Sequence, residues 1–197
     1  MFFLFQPTQA QILVYTESQQ HADFNYSELE ATRTAQCPAG CARDDHSITL
    51  GSGAQTFARA REAIQNWQMF KRTWLQLLNP EIKLEVGATL ILKIKHLGFY
   101  SLIANRIVYV VDEPRAFGFG YGTLTGQAVE GEERFLLERL EDDRVVFSLF
   151  AFSKPRHPLA VLGKPIVRWL QQQGSSAYLQ AIKHALKDWN LEYREHS

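Results

Sequence analysis

The stretch from Gly118 to Phe135, GFGYGTLTGQAVEGEERF, gathers the residue types best suited to chemistry in this chain. At the two-residue period of a strand, Phe117, Phe119 and Tyr121 share one face, and Gly118, Gly120 and Gly122 share the other. A run of glycines cradles a phosphate only where it opens a helix whose N-terminus meets the anion, and here the next expected element is a strand. The glycines are therefore read as places where the sheet bends or a helix approaches its backbone. A ligand pocket whose floor they leave open is the second reading. Glu132 and Glu133 are adjacent, so a strand points them to opposite faces and they cannot work as a paired acid and base. One of them turned inward needs a partner, which Arg106, Arg115, Arg134 or a cluster of backbone N–H groups can supply. Two solvated or ion-paired glutamates are the plainer reading.

The other reactive residue types form no recognisable constellation. Cys37 and Cys41 sit in CPAGC, and a lone CxxxC lacks the second pair that a zinc site requires; two free thiols in a loop are expected. His21, His46, His96, His157, His184 and His196 show no His-x-His or His-x-x-x-His spacing, so neither a metal nor a cofactor is expected. Gly51-Ser52-Gly53 resembles half of a nucleophile elbow without its flanking GxSxG, and Ser52 is better read as the cap of the helix that follows. Trp67 and Trp74 have the flat rings to stack on a ligand, yet Trp67 falls at helical spacing and is read as core.

The elements that must position these residues follow from periodicity. Met1 to Phe5 suits a short strand, and Thr8 caps a helix to about Gln19. His21 to Asp45 is polar and turn-rich and reads as mostly irregular. His46 to Leu50 reads as a strand, and Phe57, Ala60, Ile64 and Trp67 mark an amphipathic helix over Ala54 to about Phe70. The period then changes from 3.6 to 2. Strands are expected over Ala88 to Lys95, Phe99 to Val111 in one piece or two, Arg115 to Leu124, Glu132 to Leu140 and Val145 to Ser153, joined by short turns into an antiparallel meander. Pro155 ends the last strand. Beyond it, Leu159, Leu162, Ile166, Trp169 and Leu170 form one apolar stripe, and Tyr178, Ile182, Ala185 and Trp189 another. The remainder is thus helical, as one kinked helix or two in tandem. This is an α+β order in which a curved antiparallel sheet wraps the last helix.

Composition limits the partners. The 197 residues carry 21 Lys plus Arg against 21 Asp plus Glu, for a formal charge of zero. Nucleic-acid binding through phosphate neutralisation needs a basic surplus, and a polybasic membrane tether needs a run of like charge; neither is present. No run of ~18 apolar residues marks an integral membrane segment, and MFFLFQPTQAQILV lacks the basic n-region of a signal peptide, so a cytoplasmic location is expected. Aromatic residues make up 12% of the chain, which is rich enough to line an interior space with rings.

The run YGTLTGQAVEGEERF at 121–135 resembles the YGTL-P-GH-P-x-x-GEE-x-F signature of an uncharacterised bacterial and plant family known only as a domain of unknown function. NYSELEATR at 25–33, PAG at 38–40, LGSG with Phe57 and Trp67, RIVYVVDEPRAFGF at 106–119 and AFSKP at 151–155 agree with it in order. The resemblance implies the helix-grip fold of the START and birch-pollen-allergen superfamily. Members commonly hold an apolar ligand between sheet and helix, and some are enzymes such as cyclases. This chain departs from the signature at Thr125, Gln127 and Ala128, where the family has Pro, His and Pro, so catalysis centred on that His is not expected here.

One domain is therefore expected over 1–197, with a helix-grip core at about 45–190 and an N-terminal strand and helix extension over 1–44. The preferred reading is a binding protein for a small apolar or aromatic molecule, held between the sheet and the C-terminal helix. Tyr121, Thr123 and one of Glu132 or Glu133 would orient the ligand, and Phe117, Phe119, Phe150 and Trp169 would enclose it. The alternatives are an enzyme pairing Tyr121 with Glu132 or Glu133, and a protein-interaction module; no catalytic residue is assigned.

Overall fold

The computed structural model describes residues 1–96, 98–156 and 176–187. Trp169, Trp189 and the stripe from Leu159 to Leu170 lie outside the described residues.

The chain begins with a two-residue strand, β1 (Phe2–Phe3), and a helix, α1 (Gln9–Gln19). Thr8 caps α1 as its sequence suggests: its hydroxyl accepts from the Gln11 N–H at 3.3 Å, and the Gln11 side chain accepts from the Thr8 N–H at 2.9 Å, a reciprocal capping box. Strand β2 (Ala42–Ser52) starts four residues before the expected His46 and runs directly into α2 (Gly53–Gln65). Ser52 makes no side-chain cap bond. It is still paired in β2, and the first N–H of the helix, on Gly53, is taken by the Asp143 carbonyl at 3.0 Å. Helix α2 stops short of Phe70 because Trp67 turns left-handed at φ 55°. That turn drops Trp67, Met69 and Phe70 into the core.

Six further strands follow: β3 (Leu75–Leu77), which periodicity did not reveal, β4 (Thr89–Lys95), β5 (Tyr100–Glu113), β6 (Ala116–Thr123), β7 (Val129–Arg139) and β8 (Arg144–Pro155). They pair antiparallel in the order β2-β8-β7-β6-β5-β4-β3, with β1 also on β5. Register shifts at Thr49/Gly51 and Ile107/Tyr109 add bulges, which bend a sheet locally. Residues 176–187 form the C-terminal helix, α3.

Both sheet faces are covered. On the inner face Leu90, Leu92, Ile107, Phe119, Phe135, Phe147 and Leu149 pack with Phe57 and Ile64 of α2 and with Leu179, Ile182 and Leu186 of α3. On the outer face α1 seals a smaller cluster of Tyr15, Ile91, Leu102, Ala104 and Leu124. The segment around Asn25 to Thr34 covers the rest of that face. The β6 glycines make this cover possible. A Cβ at Gly120 would overlap the Tyr109 ring, and one at Gly122 would overlap the Tyr26 ring and hydroxyl. What approaches the glycine face is thus a pair of tyrosines, not a helix.

Candidate functional site

Strand β7 sends its adjacent glutamates, Glu132 and Glu133, to opposite faces. Glu132 lies under the outer cover at 2% exposure. Its carboxylate accepts from the Tyr26 hydroxyl at 2.7 Å, from the Glu30 and Thr32 N–H groups at 2.9 Å each, and from the Thr32 hydroxyl. The Thr32 hydroxyl also bonds the Tyr109 hydroxyl at 2.8 Å. A buried carboxylate satisfied this way needs no cation. The arginines considered as partners instead bind carbonyls: Arg106 at Ala22 and Gln19, Arg115 at Arg139, Arg134 at Arg33. Burial and the Glu132 charge push the Tyr26 hydroxyl well above the usual range for tyrosine.

Glu133 points inward. Sheet register places it beside Tyr121 on β6 and Ala151 on β8, with Asp44 of β2 beyond Ala151. The Tyr121 hydroxyl donates to Glu133 Oε2 at 2.5 Å. Around this pair stand Phe70, Phe119 and Phe135, all with ring centroids within 6.3 Å of that of Tyr121. Tyr178 of α3 is edge-on to Phe70 and Phe135 at 5.7 and 5.5 Å. Asn105 on β5, 4% exposed, lies near Tyr121 and lowers its pKa slightly against the rise that burial causes, while its Oδ1 has no partner. Burial drives the Glu133 carboxyl up to about 7; the Tyr121 bond opposes that rise, and the Asp44 charge adds to it. Burial also raises Tyr121 and Tyr178, with the Glu133 charge reinforcing both. Glu133 therefore passes between acid and carboxylate near neutrality inside an aromatic interior. Among the described residues its Oε1 receives no hydrogen bond.

The structure divides the residues singled out in the sequence. Phe119, Tyr121 and Glu133 come together on the inner face. Phe117 is also on that face, but near its end, under the Arg61 guanidinium at 4.5 Å. There it borders a groove of about 360 Å³ with Gln65, Ile82 and Asp112. A second groove, of about 310 Å³, lies between α1 and β4. Neither is lined by Tyr121, Glu133 or Tyr178. Thr123 closes the β6–β7 hairpin, donating to Asn25 Oδ1 at 2.5 Å and accepting from the Gly131 N–H at 2.9 Å; it does not reach the inner pair. Glu132 and Phe150 are on the outer face, Phe150 between Arg43 and Arg134 at 5.0 and 5.7 Å, and cannot line a space under α3. Gln127, at the family's His position, donates to the Ala104 carbonyl, and Thr125 to that of Asp23; both fix the hairpin tip. Cys37 and Cys41 are free and half-buried. No cluster of metal ligands occurs among the described residues.

Asn105, Asp44, His46 and Tyr178 were not singled out. Reading β2 from Ala42 would have found two of them, because Asp44 and His46 alternate with Ile48 and Leu50 on one face. Asn105 likewise falls between Ile103 and Ile107 at strand period. His46 Nε2 lies 3.8 Å from Asp44 Oδ1.

An antiparallel sheet folded over a C-terminal helix, with a polar pair in the aromatic interior between them, defines a helix-grip protein of the α+β class. Solved structures agree. The chain is similar to Ara h 8.0201 (TM-score 0.53, 15% identity, 75% of this chain and 99% of that one). It is also similar to the ZhuI aromatase/cyclase from Streptomyces sp. R1128 (TM-score 0.54, 13% identity, 75% and 94%). At such identities the likeness is one of fold. A UPF0548 protein of Deinococcus radiodurans is 34% identical over 196 residues, covering 94% of this chain and 98% of the relative. The model of the family described as "Domain of unknown function (DUF1990)" matches residues 25–181, and the chain belongs to that family. The matched span includes both halves of the Glu132 network and the Tyr121–Glu133 pair. No helix among the described residues is long and apolar enough to cross a membrane.

Proposed function

We propose that the protein binds a small apolar or aromatic molecule between the inner sheet face and α3, with Tyr121 and Glu133 fixing its polar end. The observation that carries this reading is a titratable carboxyl, bonded at 2.5 Å to a tyrosine, set among aromatic rings with one oxygen left open. Apolar walls with a few convergent polar groups are the usual make-up of a ligand site. Asn105 Oδ1 is buried nearby without a partner, and a buried polar group left so is costly unless it serves a purpose. The similarity in fold to an aromatase/cyclase supports an aromatic occupant.

The test is native mass spectrometry of the protein as purified, followed by thermal-shift screening against aromatic and aliphatic compounds. A retained adduct, or a melting temperature raised by a compound, is expected. Tyr121→Phe should weaken binding about fivefold, as expected for one lost hydrogen bond of ~1 kcal/mol, and Phe150→Leu on the outer face should leave it unchanged. Binding indifferent to Tyr121 and Glu133, or no binding at all, would refute the reading.

The same hydrogen bond favours a second reading, acid–base catalysis by Glu133 with Tyr121, in which Glu132 takes no part because it lies on the other face. A group titrating near 7 is well matched to proton transfer at neutral pH. Turnover that falls as pH drops below 7 and is lost in Glu133→Gln would establish it.

A further inference from the structure

We infer that the polar end of the occupant is a positively charged hydrogen-bond donor, an amine carried on an apolar or aromatic body. This inference rests on reading the space under α3 as a binding site. Two carboxylates, Glu133 and Asp44, flank Ala151 on this face, and the Tyr121 proton is already spent on one of them. The Tyr121 proton goes to Glu133 Oε2. Glu133 Oε1 has no donor among the described residues, and Asn105 Oδ1, behind Tyr121, is buried without one. Tyr178, whose hydroxyl makes no hydrogen bond among the described residues, is close enough to Glu133 for the carboxylate charge to be felt at its own proton. A ligand carboxylate would bring a third anion to Glu133 and Asp44. A hydroxyl would satisfy one acceptor with its single proton. An ammonium offers up to three protons and neutralises the Glu133 carboxylate.

The groups facing Glu133 agree with this sign. Register sets Tyr121 of β6 and Ala151 of β8 beside it and Asp44 of β2 beyond Ala151; His46 of β2 and Asn105 of β5 share the inner face, Tyr178 comes from α3, and α2 brings only Phe57, Ala60 and Ile64 to the common core. Arg72 donates through Nη2 to the Ala177 carbonyl at the start of α3 at 2.6 Å, its buried Nε having no partner, and no ion pair joins it to Glu133 or Asp44 among the described residues. With Glu133 titrating at about 7, an amine that needs the carboxylate must displace its proton at lower pH, so affinity should fall about tenfold from pH 8 to pH 6.

The experiment compares 1-naphthylmethylamine, 1-naphthylmethanol and 1-naphthoate by isothermal titration calorimetry at pH 8 and pH 6. The amine should bind about tenfold tighter than the alcohol at pH 8, the difference expected of a charge-assisted hydrogen bond, with the naphthoate weakest. Glu133→Gln should erase the amine's advantage over the alcohol and its pH dependence. Tyr178→Phe, which keeps the ring, should cost the amine a few-fold. If all three probes bind alike, or naphthoate binds best, the binding reading stands and this inference is overturned. If the amine keeps its preference or its pH dependence in Glu133→Gln, another group such as His46 is responsible and the inference is again overturned. If no probe binds, both fail together.

Discussion

Replacing Glu133 by Gln should stabilise the protein at pH 8 and do little at pH 4.5. The Glu133 carboxyl rises from the ordinary 4.5 to about 7 because ionising it inside the sheet means placing a charge among rings. Between those two values the folded chain keeps a proton that the unfolded chain has released, so stability falls as pH climbs through the window. Above it the full cost is present. At ~1.4 kcal/mol per pH unit this amounts to about 3 kcal/mol. Gln removes the charge and keeps an oxygen for the Tyr121 hydroxyl, though in a weaker, neutral bond that returns ~1 kcal/mol of the gain. The net benefit is about 2 kcal/mol at pH 8, or roughly 4–8 °C in melting temperature for a chain of this size. Below pH 4.5 the two side chains are both neutral and the variants should melt together. Calorimetric melting at half-unit steps from pH 4 to 8 measures the difference directly. A gap that stays constant across that range, or a variant less stable at pH 8, would show that Glu133 is not held near-neutral by burial.

Glu132→Ala should have the opposite character. It strands four donors from Tyr26, Glu30 and Thr32 under the outer cover, which should cost at least ~3 kcal/mol, and limited proteolysis should cut within residues 26–34 before the sheet unfolds. Gly122→Ala puts a methyl into the space of the Tyr26 ring and should cost ~2 kcal/mol. In a Tyr26→Ala background most of that cost should vanish, and a double-mutant cycle showing additive effects would refute the proposed slot.

Much of the sheet is legible from alternation alone, most clearly in β7, where Gly131, Phe135 and Leu137 are buried along one face, whereas β6 is buried on both faces. Face assignment within β8 was harder. Phe147 and Leu149 turn inward while Phe150 and Phe152 turn outward, and since Arg43, Arg134 and Tyr26 cover the outer rings, both parities look apolar. Strand β3 offers three residues, too few to show a period. The Asn25–Thr34 cover has no periodicity because its order comes from hydrogen bonds to a carboxylate a hundred residues away, and nothing local announces such a bond. The same holds for Asn105: its place in the alternation marks it as inward, but its isolation from any donor is a three-dimensional fact. Glu132 and Glu133 are the legible exception, because adjacency in a strand is enough to send them to opposite faces.

The Gly131-Glu132-Glu133-Arg134 run also has a meaning for how the sheet assembles. Sliding β7 by one residue would leave a glutamate in only one of the two carboxylate positions. In one direction Glu132 lands opposite Tyr121, but Gly131 takes the outer place and offers nothing to Tyr26 and Thr32. In the other direction Glu133 serves the outer donors, but Arg134 is forced in among Phe70, Phe119 and Tyr121. Either error also turns Phe135 and Leu137 away from the interior. The four residues thus act as an alignment check during folding, penalising both neighbouring registers by different means and leaving one in which each charge is accommodated.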